Sequence, residues 1–238
     1  MQFFWKEVHL RFIDYFNIKK SPSKTEMDFL VRTEKYLKYI KWLPGLRMIW
    51  IWNSISMNYS TVNSDIDLYI VTTKESMWFN RIFITFIFEL LWVRKTNNKH
   101  AGMFCLSFFS TLEWLNFNSW KIEQDLYLYF WIIYFKPILD YNDTYSLFLK
   151  KNSSWADFSD YDIIIENNKT YIKYEKYNTS KEFGIKFLNS LFKKIFLSKT
   201  LKSYNKVGKP YWVIINADLL KFHDKDIRKK TRLAILGK

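Results

Sequence analysis

The stretch WNSISMNYSTVNSDIDLYIV, residues Trp52 to Val71, sets two acids one residue apart on what reads as a β-strand. From Asp65 the chain alternates acid or Tyr with Ile, Leu and Ile, and Val71 closes the run. Side chains at i and i+2 of a strand share a face, about 7 Å apart. Asp65 and Asp67 therefore project together while Ile66, Leu68 and Ile70 enter the core. Two like charges so placed cost stability unless a cation lies between them. Mg²⁺ is the natural candidate, since it takes hard oxygen ligands and is commonly held by one or two carboxylates plus substrate phosphates. The same pattern also suits an exposed strand face whose acids pair with nearby lysines.

Working outward, SPSKTEMDFLVRTEKYLKYIKWLPG carries apolar residues at Phe29, Leu30, Tyr36, Leu37 and Ile40 and stops at Pro44-Gly45, the signals of an amphipathic helix. Leu46 to Trp52 is a short β-prone run, and SISMNYS is long enough for about two helical turns if Asn53 or Ser54 caps it. An apolar helix at 77–93, a basic loop RKTNNKHAG and a third strand, MFCLSFF at 103–109, follow. The first half is thus an α/β pattern.

The second half changes character. DLYLYFWIIYFKPILD reads as a buried helix ended by Pro137, TYSLFLKKNSSW as a short helix running into a polar loop, and DIIIENNKTYIKYE as a hairpin turning at Asn167-Asn168. KEFGIKFLNSLFKKIFLSK spaces apolar residues as an amphipathic helix with lysines between. The expected organisation is an N-terminal arm at 1–23, an α/β domain with a small mixed sheet at 24–118, and a mainly helical region containing the hairpin at 119–238.

Composition limits the partners. The 238 residues hold 37 Lys and Arg against 23 Asp and Glu, a formal charge of +14. That excess suits a polyanion such as a nucleoside triphosphate, RNA or an anionic membrane surface, although scattered lysines are equally a solvated surface. Trp 11, Phe 22 and Tyr 16 can mark base-stacking surfaces, but core bulk is the preferred reading. One cysteine, Cys105, permits no internal disulfide. In MWFNRIFITFIFELLWV the uninterrupted apolar run, Ile82 to Phe88, falls far short of the ~20 residues of a membrane span. No secretory signal is visible at the N-terminus, so a cytoplasmic location is expected.

Ser54 lies eleven residues before Asp65, and NS…SDIDLYIV resembles the nucleotidyltransferase superfamily that includes DNA polymerase beta and the aminoglycoside nucleotidyltransferases. That family's signature is a Gly-Ser turn at a helix start, a spacer, then Asp-hydrophobic-Asp on the next strand. Asn53 stands here in place of Gly, and Asn is the non-Gly residue most tolerant of left-handed backbone. The wider chain resembles an uncharacterised bacterial group with an Asn-Ser/Thr turn, through MWFNRIF, CLSFF, KPILD and LLKFHDKDIRKK, from about residue 24 to the end. The resemblance implies a Mg²⁺- or Mn²⁺-dependent transfer of nucleoside monophosphate from a triphosphate to a hydroxyl acceptor, such as a small molecule or RNA. It implies that Asp65 and Asp67 carry metal and catalysis, and that Asn53 and Ser54 bind nucleotide at a helix N-terminus. Arg81 is a further phosphate candidate because guanidinium is a planar multi-donor group.

One part of the family pattern is missing. Active members carry a third carboxylate on a neighbouring strand, where it acts as a general base; MFCLSFF offers none, and Ser107 takes the vacated position. Glu113, Asp140 and Asp224 are the alternative acids. The second function class is therefore a weak or inactive nucleotide or RNA binder that keeps the fold. His223 could contact phosphate or metal, although a lone histidine at a strand-to-helix junction is more often a cap or a hydrogen-bonded surface residue; His9 and His100 have no metal-ligand spacing with Cys105, which argues against zinc.

Overall fold

The computed structural model describes residues 2–156, 175–177, 185–206, 208, 212–223 and 226–237. Seven strands form one mixed sheet in the order β5-β4-β1-β2-β3-β7-β6. They are β1 (Leu46–Ile51), β2 (Ile66–Thr72), β3 (Phe104–Thr111), β4 (Lys136–Tyr141), β5 (Glu175–Tyr177), β6 (Ile214–Ile215) and β7 (Leu219–Lys221). The helices are α1 (Gln2–Phe16), α2 (Lys24–Leu37), α3 (Met77–Leu90), α4 (Leu126–Ile133), α5 (Thr144–Asn152), α6 (Ile185–Lys206) and α7 (Arg228–Leu236). β2 runs antiparallel to β1 and parallel to β3, as a strand–turn–strand–helix–strand order requires. The mixed α/β class read from the sequence is therefore present.

Every residue of β2 is buried, because both faces of the sheet are covered. Ile66, Leu68 and Ile70 pack into one core with Phe29 and Leu30 of α2, Met77 and Phe88 of α3 and Ile185 of α6. On the other face, Tyr69 and Val71 join a second core with Phe12 of α1, Trp131 of α4, Phe148 of α5 and Ile235 of α7. Residues 1–23, expected as an arm, hold α1, whose Val8 and Phe12 lie in this core. The region after 118 is likewise more than a helical extension, since β4 and β5 extend the sheet on one side and β7 and β6 on the other.

Two local expectations change. α4 ends at Ile133, and KPILD is strand β4 rather than the end of a helix. Pro137 is tolerated there because it lies opposite Trp50, at a register shift, while β5 reaches only Leu139 to Tyr141 on the other side; the ring needs no ladder hydrogen bond at that point. The segment after β1 is a turn rather than two helical turns, because Asn53 and Asn58 both take left-handed φ, 61° and 55°. Met57 N–H to Asn53 O (3.1 Å), Asn58 N–H to Ile55 O (3.3 Å) and Tyr59 N–H to Ser54 O (2.9 Å) close it, bonds of three different spans rather than a continued helical ladder. The hairpin expected at Asn167-Asn168 lies outside the described residues.

Buried polar groups hold this turn in place. Glu26 of α2, fully buried, accepts from Ser23 N–H at 2.6 Å in a capping box and from Ser60 N–H at 2.8 Å. Burial works to raise its carboxyl, but those bonds and Lys19 together hold it below the ordinary value. From the opposite side, Lys136 of β4 reaches under the sheet edge and donates to Asn58 Oδ1 at 2.8 Å. Burial lowers its ammonium to about 7, and burial likewise lowers Lys221 of β7 to about 6.

These two lysines set a pH dependence. Each binds its proton less tightly folded than unfolded, where lysine titrates near 10.4. Between about pH 6 and pH 10 the unfolded chain therefore binds more protons, and stability rises with pH. Urea denaturation at pH 6 and pH 9 should show the higher midpoint at pH 9, and Lys136→Met should flatten that rise. Equal slopes in the two proteins would remove Lys136 as a source.

Candidate functional site

The site lies where the β1–β2 turn, the first residues of β2 and β3, and the chain leaving β7 converge. Asn53 organises it. Left-handed at φ 61°, it turns its amide between the layers, with Nδ2 donating to Asp67 Oδ2 at 2.8 Å and Oδ1 accepting from Trp131 Nε1 at 2.8 Å. A glycine would make the same turn but neither bond. Ser54 follows on the turn and contributes its backbone carbonyl to Tyr59. Because no helix begins there, the helix N-terminus expected to receive a triphosphate at Ser54 is not formed.

The two aspartates face one site but differ in their surroundings. Asp65, just before β2, pairs with Lys95 Nζ at 2.6 Å and keeps partial exposure. Burial works against the Lys95 ammonium, yet Asp65 outweighs it and the pKa rises. Asp67 is 6% exposed and is held to the β1–β2 turn by the Asn53 amide. His223 Nε2 stands 3.5 Å from its Oδ1. Burial alone would raise the Asp67 carboxyl, but the His223 ring, the Asn53 amide and the Cys105 thiol hold it below the ordinary carboxylate value. The electrostatic problem posed by Asp-Ile-Asp is thus met by protein groups.

β3 supplies the facing wall. Asp67 lies opposite Cys105 and Tyr69 opposite Phe108, so three steps along β3 match two along β2. The extra residue is a bulge, a device that re-aims side chains, and it sets Cys105 and Phe108, three residues apart, opposite Asp67 and Tyr69. Cys105 Sγ donates to Ser107 Oγ at 3.2 Å, and Ser107 Oγ sits 3.0 Å from His223 Nδ1. Burial and the neighbouring Asp67 push the Cys105 thiol up. His223 arrives because β7 pairs with β3, with Phe222 N–H on Ser107 O at 2.9 Å. Its ring then packs edge-on against Trp52, centroids 4.5 Å apart.

Beside these groups opens a basic cleft of about 710 Å³, bordered by Arg81, Arg94, Lys95, His100, Ser107 and Phe222 among others. Arg94 pairs with Glu89. Arg81, on α3, has its guanidinium 4.5 Å above the Phe222 ring. Its Nη1 is buried and makes no hydrogen bond. Burial, with Arg94 nearby, lowers its pKa to about 10.

The acids considered for the third carboxylate fall elsewhere. Glu113 is exposed beyond the far end of β3, and Asp140 of β4 pairs with Met48 at the other end of the sheet. Asp224 lies outside the described residues. Ser107, the position expected to be vacated, touches His223 instead. His223, whose residue type also allowed a contact to phosphate or metal, is not a surface cap; the β3–β7 pairing brings it to Asp67 from 156 positions away along the chain. His9 stays apart, 2.9 Å from the Tyr134 hydroxyl.

No family model, curated protein or solved structure matches this chain. Among the described residues, no helix is long and apolar enough to cross a membrane. The residues around Asp67 fit Mg²⁺ poorly. Asp65 is tied to Lys95, and the donors nearest Asp67 are a thiol and an imidazole, whereas Mg²⁺ requires oxygen ligands in octahedral geometry.

Proposed function

We propose that this chain binds a nucleoside triphosphate in the basic cleft, as a nucleotide-binding protein that keeps a nucleotidyltransferase-like site without its usual acid set. The observation that carries the reading is Arg81. A guanidinium whose Nη1 is buried without a hydrogen bond, walled by Arg94, Lys95 and an aromatic ring, is a binding group for a phosphate oxygen. The resemblance of Asn53-Ser54…Asp65-Ile-Asp67 to the nucleotidyltransferase turn and acid pair supports a nucleotide as the phosphate's carrier. The absence of an acid from β3 and the pairing of Asp65 with Lys95 favour binding over turnover.

The residues divide the work by chemistry. Arg81 and Arg94 offer planar, multi-donor contacts to phosphate oxygens. Lys95 offers a point charge that can pass from Asp65 to the ligand. Ser107, which borders the cleft, offers a neutral hydrogen bond. Because these cations belong to the protein, triphosphate binding should persist in EDTA and weaken as salt screens the cleft.

Calorimetric titration with each nucleoside triphosphate, in EDTA and in Mg²⁺, tests this reading. Wild type should bind, and Arg81→Met should raise the Kd at least tenfold, about 1.4 kcal/mol. Arg94→Ala, at a more exposed position, should raise it less. A wild type that binds no triphosphate sinks the proposal.

The second reading, nucleotidyl transfer to a hydroxyl acceptor, is favoured by the nearness of Asp65 and Asp67 at the start of β2. Labelled triphosphate, Mg²⁺ or Mn²⁺ and a cell extract decide between the two. Label passing to an acceptor at ordinary enzyme rates, of order 1 to 10³ s⁻¹, establishes transfer; bound, unconverted triphosphate establishes the binder.

A further inference from the structure

We propose that Asp67, Cys105 and His223 form a binding site for a divalent transition metal of borderline softness, Zn²⁺ being the cation that best matches the three donors. Their ligand atoms lie within 4.8 Å of one another. The set is mixed: a carboxylate oxygen, a sulfur and an imidazole nitrogen, a combination taken by Zn²⁺ or Co²⁺ and refused by Mg²⁺.

A second, independent observation points to a ligand. Asp67 is 6% exposed, yet its Oδ1 makes no hydrogen bond. That oxygen is aimed at His223 Nε2, 3.5 Å away. The spacing is too long for a hydrogen bond. It is close to the separation of about 3.3 Å between oxygen and nitrogen when both bind one tetrahedral zinc at about 2.0 to 2.1 Å.

The surrounding hydrogen bonds match what a metal site needs. Asn53 Nδ2 occupies the other carboxylate oxygen, Oδ2, at 2.8 Å, which leaves Oδ1 free to coordinate. Ser107 Oγ holds His223 Nδ1 at 3.0 Å and so directs Nε2 inward. Histidine ligands are ordinarily fixed through their other ring nitrogen in this way. Cys105 now donates its S–H to Ser107; on metal binding a sulfur–metal bond forms, the thiol proton leaves to solvent, and no electron is transferred. Three protein ligands would leave a fourth position for a water or a substrate oxygen, and Cys105 also borders the cleft. This site stands or falls independently of triphosphate binding.

Co²⁺ is the probe, because thiolate coordination gives a near-ultraviolet charge-transfer band. Cys105 is the protein's one cysteine, so such a band reports this residue alone. Reduced wild-type protein titrated with Co²⁺ should develop the band and visible tetrahedral absorption with a one-to-one end point. Zn²⁺ should abolish both, and millimolar Mg²⁺ should leave both unchanged. Cys105→Ser should lose the charge-transfer band, His223→Gln should lose tight binding, and Ser107→Ala should weaken binding about 10- to 100-fold. Circular dichroism checks that each variant is folded. Wild-type titration alone can overturn the assignment: no one-to-one Co²⁺ complex, or a complex lacking the thiolate band, means these residues do not form the site.

Discussion

Arg228→Ala is expected to cost about 3 to 5 kcal/mol of stability, the effect of removing one partner from a buried ion pair. Arg228 opens α7, 1% exposed. Its Nη2 meets Asp226 Oδ2 at 2.7 Å, and its Nη1 meets Asp125 Oδ2 at 3.3 Å and the Trp120 carbonyl at 2.6 Å. The guanidinium lies 3.5 Å from the Trp212 ring centroid. Asp125 in turn caps α4, accepting from Leu128 N–H at 2.9 Å. One cation therefore joins α7, the turn at Trp120 and the helix whose Trp131 donates to Asn53.

For a chain of this size the loss corresponds to a fall in Tm of roughly 6 to 20 °C, at about 2 to 4 °C per kcal/mol. Arg228→Lys should recover only part, because an ammonium cannot bridge two carboxylates and a carbonyl as a fork. A midpoint for Arg228→Ala within 1 kcal/mol of wild type would show that Asp125 and Asp226 find other partners. Lys221 is no ready substitute, since it is buried, donates to Trp212 O at 2.9 Å and has its pKa lowered by burial to about 6.

The second large effect belongs to Asn53. Asn53→Ala should lose about 3 kcal/mol from two separable causes. A left-handed backbone costs an alanine about 1 to 2 kcal/mol. Removing the amide leaves the Trp131 indole N–H without its acceptor and withdraws a donor from Asp67, a further 1 to 3 kcal/mol. Asn53→Gly restores the backbone term and not the hydrogen bonds, so it should lie about 1 kcal/mol above Asn53→Ala and still below wild type. Denaturation midpoints of the three proteins measure both quantities. If glycine equals wild type, the amide bonds contribute nothing and Asn53 is only a turn residue.

That pairing also gives the turn a use for Asn beyond its backbone. The turn needs positive φ, which Asn tolerates, and the amide then does what a hydrogen atom cannot. It bridges the acid on β2 and the tryptophan on α4, two elements 60 residues apart.

The sequence by itself determined the local elements. Alternation over Asp65 to Val71 made β2, the apolar runs made β1 and β3, and Ser23 with Glu26 started α2 at Lys24. It also placed both acids on one face and named Asn53, Arg81 and Ser107, because those features follow from side-chain period and residue chemistry over short distances. Four things were decided only by tertiary structure. The turn after β1 became a single bracketed turn because Lys136 and Glu26, from β4 and α2, fix its ends. KPILD became a strand because β1 had a free edge to pair. Asp67 became buried because Asn53, Cys105 and His223 close around it, while Asp65 stayed accessible to Lys95. His223 entered the site because β7 pairs with β3. Each depends on contacts between residues far apart in the chain, whose loop-closure entropy is offset only when the whole sheet forms, and no local pattern of residues records that balance.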